Sequence, residues 1–235
     1  MLNKPKIPKK YQPLGYEILH EDLDVIVGHK TAGFLTVAAL WNKEKTIHSA
    51  LEKYIRKGNP RSNKEVFVVH RLDQATSGVL IFAKSEKAQQ FLKNNWKSTE
   101  KFYYTIVRGA LKKKSGLITS YLQEDEDYFV HSSKEDTAGK LAQTEYEVVK
   151  EVGAYSLLKI RLLTGKKNQI RVHLAGEGHP IVGDIKYGKE KSGGNKNLML
   201  HSFSIEFTHP HSKARILVKA DVPDYFKKLV NFDYL

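Results

Sequence analysis

Short apolar runs separated by polar turns dominate the first part of the chain. Two such runs in residues 16–28 flank the polar stretch His20–Asp22, which predicts a strand, a turn and a second strand. After Thr46, apolar residues recur at the spacing of a helix: Ile47, Leu51, Tyr54 and Ile55. This helix is predicted to end near Gly58–Pro60, where glycine and proline break the pattern.

Two further strands are predicted at Val66–Val69 and Val79–Ala83, with a polar loop between them. Ser85 is a suitable N-cap for a helix with one apolar face, formed by Ala88, Phe91, Leu92 and Trp96. Residues 102–108 alternate, so Tyr103, Thr105 and Val107 are expected on one face of a strand.

The second half is also rich in strands. Gln143–Val149 and Tyr155–Leu163 are predicted to form two strands joined at Gly153, while residues 123–140 are polar and are expected to form a surface loop or a weak hairpin. A turn at 164–168 precedes a short helix that bears Ile170 and Leu174. The chain closes with strands near 200–207 and 215–220.

Strands outnumber helices, and most neighbouring strands look antiparallel. These features predict an α+β fold: a mixed, largely antiparallel sheet with flanking helices and a central active-site cleft. Residues 1–15 are basic and rich in proline, and are expected to be a flexible tail. Residues 16–235 are expected to form a single catalytic domain.

The amino-acid composition limits the kinds of chemistry that the protein can perform. The chain has no cysteine, which excludes disulfides, thiolate nucleophiles and iron–sulfur clusters. Its formal net charge is +13, and basic residues cluster in patches that favour a polyanion such as nucleic acid: Lys4–Lys10, Lys112–Lys114, Lys166–Lys167 and Lys186–Lys196. Each patch could equally be a solvated surface.

No run of about 18 apolar residues is present, and the first residues lack the apolar core of a signal peptide. A cytoplasmic protein without a membrane partner is expected. Five histidines raise the question of a metal: His173, His179, His201, His209 and His211. None forms a metal motif, and no acidic residue stands at ligand spacing inside a pair, so no metal site is expected. No nucleotide-binding fingerprint is present, so no cofactor is expected either.

One polar block carries the sharpest signal. Residues 69–78 read Val-His-Arg-Leu-Asp-Gln-Ala-Thr-Ser-Gly and lie between two apolar strands. A loop of this kind can hold a carboxylate, Asp73, at the edge of a cleft, with Thr76 and Ser77 supporting it. An isolated loop aspartate more often satisfies only its own backbone.

The block resembles the catalytic motif of RluA-type RNA pseudouridine synthases, His-Arg-Leu-Asp-x-x-Thr-Ser-Gly, with no substitution at its fixed positions. Further segments resemble the family in the same order, from about residue 16 to 221: Lys101–Gly109, Gln143–Tyr146, Thr164–Leu174, Gly178–Asp184, Leu200–His201 and Phe207–Pro210. Lys166 and Asn168 depart from the Arg and His of the third segment, and Gly28–Thr31 departs from Asn-Lys-Pro.

The resemblance implies an isomerase that acts on structured RNA, either large-subunit rRNA, tRNA or both. It implies Asp73 as the catalytic carboxylate, Arg171 as its ionic partner, and Tyr103 as a ring that stacks on uracil and assists the loss of the C5 proton. It implies that Arg71 fills the space left by a flipped base while His70 supports the loop. The remaining residues expected to contact substrate or RNA are Leu72, Thr76, Lys166, Lys167 and Gln169.

Two other functions remain open from the residues themselves. A non-catalytic RNA-binding protein would explain the charge, although phosphate binding does not require a carboxylate. A glycosylase that releases free uracil would use the same aspartate and the same flipped base. The residues also leave open whether Asp73 attacks C1′ or removes the C2′ proton. A monomer is the default expectation for the oligomeric state.

Overall fold

The computed structural model describes residues 7–39, 45–57, 59, 61–135, 139–188 and 197–231. Parts of three predictions lie outside these residues: the basic patch that begins at Lys4, the helix end at Gly58 and Pro60, and most of Lys186–Lys196. The chain divides into two compact units, of which the first comprises residues up to Thr99 together with Ser202–Asp221. The second comprises Glu100–His201 and the residues from Val222 onward. The single domain and its central cleft stay predictions.

The first unit is a β-sheet with two α-helices. Its strands are β1 (Tyr16–Glu21), β2 (Val25–Lys30), β3 (Phe67–Val68), β4 (Ser77–Ala83), β10 (Leu200–Thr208, in this unit from Ser202) and β11 (Arg215–Lys219). They follow the order β1, β2, β4, β10, β11, and β3 pairs with the end of β4. Its helices are α1 (Ile47–Arg56) and α2 (Glu86–Asn94).

Local chemistry explains both helices. The Thr46 hydroxyl accepts a hydrogen bond from the Ser49 N–H at 3.0 Å, and the Ser85 hydroxyl accepts one from the Ala88 N–H at 3.2 Å, so each helix begins at a side-chain cap. The apolar face of α2 packs on a core that β1, β2, β4, β10 and β11 supply, with Val25, Val27, Val79, Ile81 and Phe207 fully buried.

The second unit is built on long hairpins. Its strands follow the order β5, β9, β8, β6, β7: β5 (Glu100–Arg108), β9 (Tyr155–Leu162), β8 (Lys140–Val152), β6 (Ser115–Glu124) and β7 (Val130–Ser133). Helix α3 (Gln169–Gly176) packs on β6, β7 and β8, and helix α4 (Asp224–Val230) packs on β8 and β9. Every strand pair with a defined register in either unit is antiparallel.

The predicted α+β class and the antiparallel pairing are confirmed. The elements predicted around Thr46, Ser85 and Gly153 are present at the expected places. Two elements were not predicted. Strand β6 was missed because its four apolar residues stand as two adjacent pairs, 117–118 and 121–122, and not in the alternation of a strand, so that pairing with β8 decides its structure. Helix α4 was missed because it is only seven residues long and is held by two buried side chains, Phe226 and Val230.

The N-terminal segment was expected to be flexible up to residue 15. In its described part, Lys9–Tyr11 form a 3-10 turn. The Gln12 side chain accepts a hydrogen bond from the Ile18 N–H at 2.8 Å and donates one to the Ile7 carbonyl at 3.1 Å. These contacts tie residues 7–15 to β1. Within the described residues, no helix has the length and apolar character needed to cross a membrane.

Candidate active site

The motif loop lies in the first unit, between β3 and β4, with half-buried Asp73 at its centre. The Thr76 N–H donates to the Asp73 carbonyl at 3.1 Å and closes a tight turn at this residue. The loop ends at Gly78, whose φ is +115°, and a Cβ here would stand 2.1 Å from the carbonyl oxygen of Ser202. Only glycine fits where β4 passes this close to β10.

The segment after β2 holds the backbone on both sides of Asp73. The buried Thr36 hydroxyl accepts from the Leu72 N–H at 3.2 Å and donates to the Leu72 carbonyl at 2.9 Å. The Gly33 N–H donates to the Gln74 carbonyl at 2.8 Å, and the Gln74 amide returns a hydrogen bond to the Gly33 carbonyl at 3.0 Å. The residues before and after the aspartate are therefore fixed by groups far away in the chain.

Lys30 is the buried cation of this loop. It is 0% exposed, and its Nζ donates to the carbonyls of Thr31 at 3.1 Å, Phe34 at 2.8 Å and Gln74 at 3.0 Å. Burial lowers the pKa of Lys30 to about 7, and the Asp73 carboxylate opposes this shift. Lys30 therefore acts on Asp73 both through the backbone and through its charge.

Sequence reasoning did not assign Lys30 a role, although it noted the departure at Gly28–Thr31. A signal was available: Lys30 is the last residue of β2, a strand that begins with the apolar run Val25–Val27 and whose first four residues are all buried. A lysine in such a position needs several acceptors, which a neighbouring loop with free carbonyls supplies.

His70 and Arg71 precede Asp73 in the chain and differ in their contacts. The His70 ring lies 4.8 Å from the Trp96 ring, and its Nε2 accepts from the Ile81 N–H at 3.2 Å. This side chain ties the loop to β4 and to the residues that follow α2. Arg71 is exposed and makes no hydrogen bond or ion pair with any residue that the structure describes.

The other two loop residues with expected RNA contacts are buried. Leu72 is 7% exposed, and its expected contact with substrate or RNA stays a prediction. Thr76 is 2% exposed, and its hydroxyl has no hydrogen-bond partner among the described residues. An unpaired buried hydroxyl costs free energy and is therefore informative beside a candidate catalytic group.

Tyr103 and Arg171 belong to the second unit. Tyr103 lies on β5, opposite Ile160 of β9, and is 6% exposed. Arg171 lies on α3 and makes a two-pronged pair with Asp184: Nε to Oδ2 at 2.8 Å and Nη2 to Oδ1 at 2.8 Å. The guanidinium also lies over the Tyr187 ring, 5.2 Å from its centroid. Pairing of Arg171 with Asp73 stays a prediction.

Asp184, the partner of Arg171, was given no role by sequence reasoning. Its Oδ1 also accepts from the N–H groups of Lys186 at 2.9 Å and Tyr187 at 3.0 Å. Burial raises the pKa of Asp184, but Arg171 and these N–H groups outweigh burial and hold the pKa below its usual value. Asp184 thus fixes the orientation of Arg171. It lies in the segment Gly178–Asp184 that resembled the family, so the signal was present in the sequence.

Gln169 at the start of α3 is buried and fully hydrogen-bonded within the second unit. Its amide is 2% exposed and accepts from Thr164 and the Lys166 N–H while donating to Gln143 and Thr144. Gln169 therefore holds this turn together, and its expected contact with substrate or RNA stays a prediction. Half-buried Lys166 and exposed Lys167 lie on the same turn, and Lys167 pairs with Glu124.

Asp22, Asp24 and His209 are grouped closely enough to hold a metal ion. The His209 Nδ1 accepts from the N–H groups of His211 and Ser212, so the ring proton sits on Nε2, which faces Asp22 at 3.0 Å. His20 contacts the same carboxylate oxygen at 2.8 Å. This donor set fits a hydrogen-bonded structural cluster better than a metal site.

Buried His173 has a structural role as well. Its two ring nitrogens lie 2.9 Å from the Thr144 hydroxyl and 3.0 Å from the Ser120 hydroxyl, and burial lowers its pKa to about 4. The ring is therefore neutral near pH 7 and connects α3 to β6 and β8.

Comparison with solved structures defines the class of protein. The human RNA pseudouridylate synthase domain containing 4 aligns with a TM-score of 0.74 at 21% identity and covers 89% of both chains. The human RNA pseudouridylate synthase domain containing 1 aligns with a TM-score of 0.73 at 22% identity, over 96% of this chain and 90% of the other. The fold is that of pseudouridylate synthases.

Sequence comparison identifies the family. A family model described as RNA pseudouridylate synthase matches residues 24–176, which include the motif loop, Tyr103 and Arg171. The chain belongs to the RNA pseudouridylate synthase family, a family of isomerases that act on RNA. This confirms the resemblance found in the sequence.

Individual relatives differ in the RNA that their names specify. Ribosomal large subunit pseudouridine synthase D of Borreliella burgdorferi is 36% identical over 195 residues, 80% of this chain and 60% of that protein. tRNA pseudouridine synthase C of Haemophilus ducreyi is 31% identical over 236 residues, 92% and 94% of the two chains. Dual-specificity RNA pseudouridine synthase RluA of Vibrio vulnificus is 33% identical over 204 residues, 83% and 79%. The chain therefore spans less than two thirds of the length of the Borreliella burgdorferi protein.

Proposed function

We propose that this protein isomerises specific uridines to pseudouridine in structured RNA, either large-subunit rRNA, tRNA or both, with Asp73 as the catalytic carboxylate. The observation that carries the proposal is the anchoring of Asp73: Thr36 fixes the preceding residue, Gly33 fixes the following one, and Lys30 places a buried amine beside the loop. A loop aspartate that served only its own turn would not need this support.

The reaction breaks the C1′–N1 bond, rotates the uracil and forms a C1′–C5 bond, after which the C5 hydrogen leaves as a proton and N1, no longer bonded to the sugar, carries a proton in the product. No atom is added and no electron is transferred, so the residues need only supply a carboxylate, proton transfer and positioning. Asp73 acts at the sugar, either as a nucleophile at C1′ or as a base at C2′. Tyr103 stacks on the uracil and assists the final proton loss, and Arg171 is the ionic partner of Asp73.

A base in folded RNA must leave its stack before Asp73 can reach it, at a cost of a few kcal/mol. Exposed Arg71, which has no ion pair or hydrogen bond among the described residues, is the group that fills the vacated space. Lys166 and Lys167 contact phosphate beside α3. We further propose that the protein acts as a monomer in the cytoplasm, without a nucleotide cofactor.

Nucleoside chromatography tests the function and the substrate together. rRNA and tRNA from a strain that lacks the protein would be incubated with it and digested to nucleosides. We expect pseudouridine to rise in at least one RNA, with an equal fall in uridine and no free uracil. Free uracil would support a glycosylase instead, and no change in either RNA would contradict the proposal.

A further inference from the structure

A groove in the first unit adjoins the segment that anchors the catalytic loop. It has a volume of about 530 Å³, within the usual range of about 300 to 1,000 Å³ for ligand sites. Its walls come from three parts of the chain: residues 10–14, Phe34, and one side of α1 from Ser49 to Tyr54 together with Lys45 and the cap residue Thr46. The described residues that line it include three lysines and no carboxylate: Lys10, Lys45 and Lys53.

The groove combines charge with exposed apolar surface. Tyr11 is 59% exposed and Leu14 is 69% exposed, although both are large apolar side chains. Lys10 lies 4.9 Å from the Tyr11 ring centroid, so a cation and an aromatic face are presented together. Interleaved cations and aromatic rings are the arrangement by which proteins hold a nucleotide strand, with phosphates on the cations and bases on the rings.

The lysine side chains, and not the start of α1, supply the positive charge of the groove. The N–H groups of Ile47, His48, Ser49 and Ala50 are bound by acceptors in residues 35, 36 and 46, so this helix end has no N–H group left for an anion.

Glu21, an acidic residue that contacts a lining residue of the groove, is already paired. Glu21 accepts from Tyr54, which lines the groove, at 2.8 Å and from Lys84 at 3.0 Å. Exposed Lys53 forms no ion pair among the described residues. Its charge is therefore available to an anionic ligand.

The groove shares a wall with the catalytic loop. Phe34 lines the groove with its side chain, while its carbonyl accepts from Lys30, the same amine that donates to the Gln74 carbonyl. Two residues further on, Thr36 fixes Leu72. The segment 33–36 therefore has the groove on one side and the backbone around Asp73 on the other.

We infer that this groove binds a nucleotide of the RNA strand that flanks the target uridine, with the base against Tyr11 and the phosphates on Lys10, Lys45 and Lys53. The inference rests on the proposed function and names a part of its substrate-binding surface. Recognition of the target uridine then depends on the RNA strand around it as well as on the flipped base.

The test compares two sets of lysine substitutions with equal loss of charge. Lys10→Ala, Lys45→Ala and Lys53→Ala are combined in one variant. Exposed lysines of the same unit that do not line the groove are replaced in the control: Lys64→Ala, Lys87→Ala and Lys93→Ala. Binding of a substrate stem-loop RNA is measured by fluorescence anisotropy from about 50 to about 300 mM salt, a range over which contacts to phosphate weaken strongly.

The affinity falls as salt rises, and we expect the slope of log K against log salt to be smaller in magnitude by about two to three in the groove variant than in wild type. Each lost phosphate contact removes about 0.7 to 0.9 from the magnitude of this slope. The control should change the slope by less than about one. In addition, Tyr11→Ala should weaken binding by about 5- to 150-fold, while Tyr11→Phe, which keeps the ring, should bind as wild type does.

Equal slopes in the two lysine variants, or equal affinities for Tyr11→Ala and wild type, would overturn the inference. All substituted side chains are exposed, so thermal melts are expected to agree and to exclude unfolding as the cause. Binding is measured without turnover, so a failure of the groove is distinguishable from a failure of the proposed function, in which wild type would form no pseudouridine.

Discussion

At the scale of single residues, the site is defined by what is buried next to Asp73. A lysine with three carbonyl acceptors and a threonine hydroxyl with no partner among the described residues lie in or beside the same loop. The Lys30 amine has an acceptor for each of its hydrogens, whereas the Thr76 hydroxyl has no partner among the described residues. Substitution of the two residues is therefore expected to affect stability in opposite ways.

Lys30→Met tests the buried amine. The pKa of Lys30 falls to about 7 in the folded protein from an ordinary value of 10.5. Between these values the unfolded chain binds a proton that the folded protein does not, so this group makes the free energy of unfolding rise with pH from about 7 to about 10. The methionine variant lacks this contribution.

Urea unfolding of wild type and Lys30→Met at about pH 6, 8 and 9.5 is the measurement. We expect the stability of wild type relative to the variant to increase with pH over this range. If the difference in the free energy of unfolding between wild type and the variant stays constant or decreases with pH, Lys30 keeps its ordinary pKa.

Thr76→Val tests the unpaired hydroxyl. Valine has nearly the same shape and buries a methyl group in place of a hydroxyl that has no partner among the described residues. We expect the free energy of unfolding to stay equal or to rise by up to about 1 kcal/mol. Pseudouridine formation should nevertheless fall, with Thr76→Ser closer to wild type, because we expect the hydroxyl to contact the substrate. A clear loss of stability in Thr76→Val would indicate a hydrogen bond within the fold.

At the scale of elements, short-range signals predicted most of the fold. Caps at Thr46 and Ser85 and the turn at Gly153 act within a few residues, so the sequence displays them directly. Strand β6 depends on pairing with β8, a partner distant in the chain, and its own residues give little indication of a strand. Asp73 was predictable through its motif, whereas the contacts that hold its loop join residues 36 to 44 positions apart.

The close approach of β4 to β10 makes Gly78 indispensable. Gly78→Ala would place a methyl group 2.1 Å from the Ser202 carbonyl oxygen, so one of the two strands must shift. Gly33→Ala is a matched control, because φ is +94° there but no atom lies within 4 Å of its Cβ position. Thermal melts should show about 1 kcal/mol of destabilisation for Gly33→Ala and at least about 3 kcal/mol for Gly78→Ala. Equal losses would contradict the close contact.

The link between α3 and the segment at 184–187 depends on a buried ion pair. Side chains of Arg171 and Asp184 are 11% and 1% exposed, so Asp184→Asn leaves a buried guanidinium without its counter-charge and should cost about 3 to 5 kcal/mol in urea unfolding. Glu145→Gln removes half of an exposed pair with Arg161 in the same unit and should cost less than about 1 kcal/mol.

Acid unfolding gives a second readout for this pair. The pKa of Asp184 is lowered in the folded protein. Its contribution to the free energy of unfolding is therefore complete above the unfolded pKa of 3.8 and is lost as the pH falls further. Asp184→Asn should therefore lose less stability than wild type does below pH 3.8. A parallel loss in both proteins would contradict the assignment.

At the scale of the whole molecule, family, charge and the anchored loop agree on one function. A net charge of +13 suits a polyanionic substrate, and the family match covers the segment that carries the motif residues. The conclusion that Asp73 does the chemistry is the central claim, since the lysines and the groove would serve a non-catalytic RNA-binding protein equally well.

The most direct measurement uses RNA labelled with tritium at uracil C5, because bond formation at C5 must release that hydrogen to water. Wild type, Asp73→Asn and the control Asp127→Asn, which removes an exposed carboxylate, are compared on rRNA and tRNA. We predict label release by wild type and by Asp127→Asn, and none above background by Asp73→Asn at unchanged RNA affinity. Substantial release by Asp73→Asn, or none by wild type on either RNA, would contradict the account.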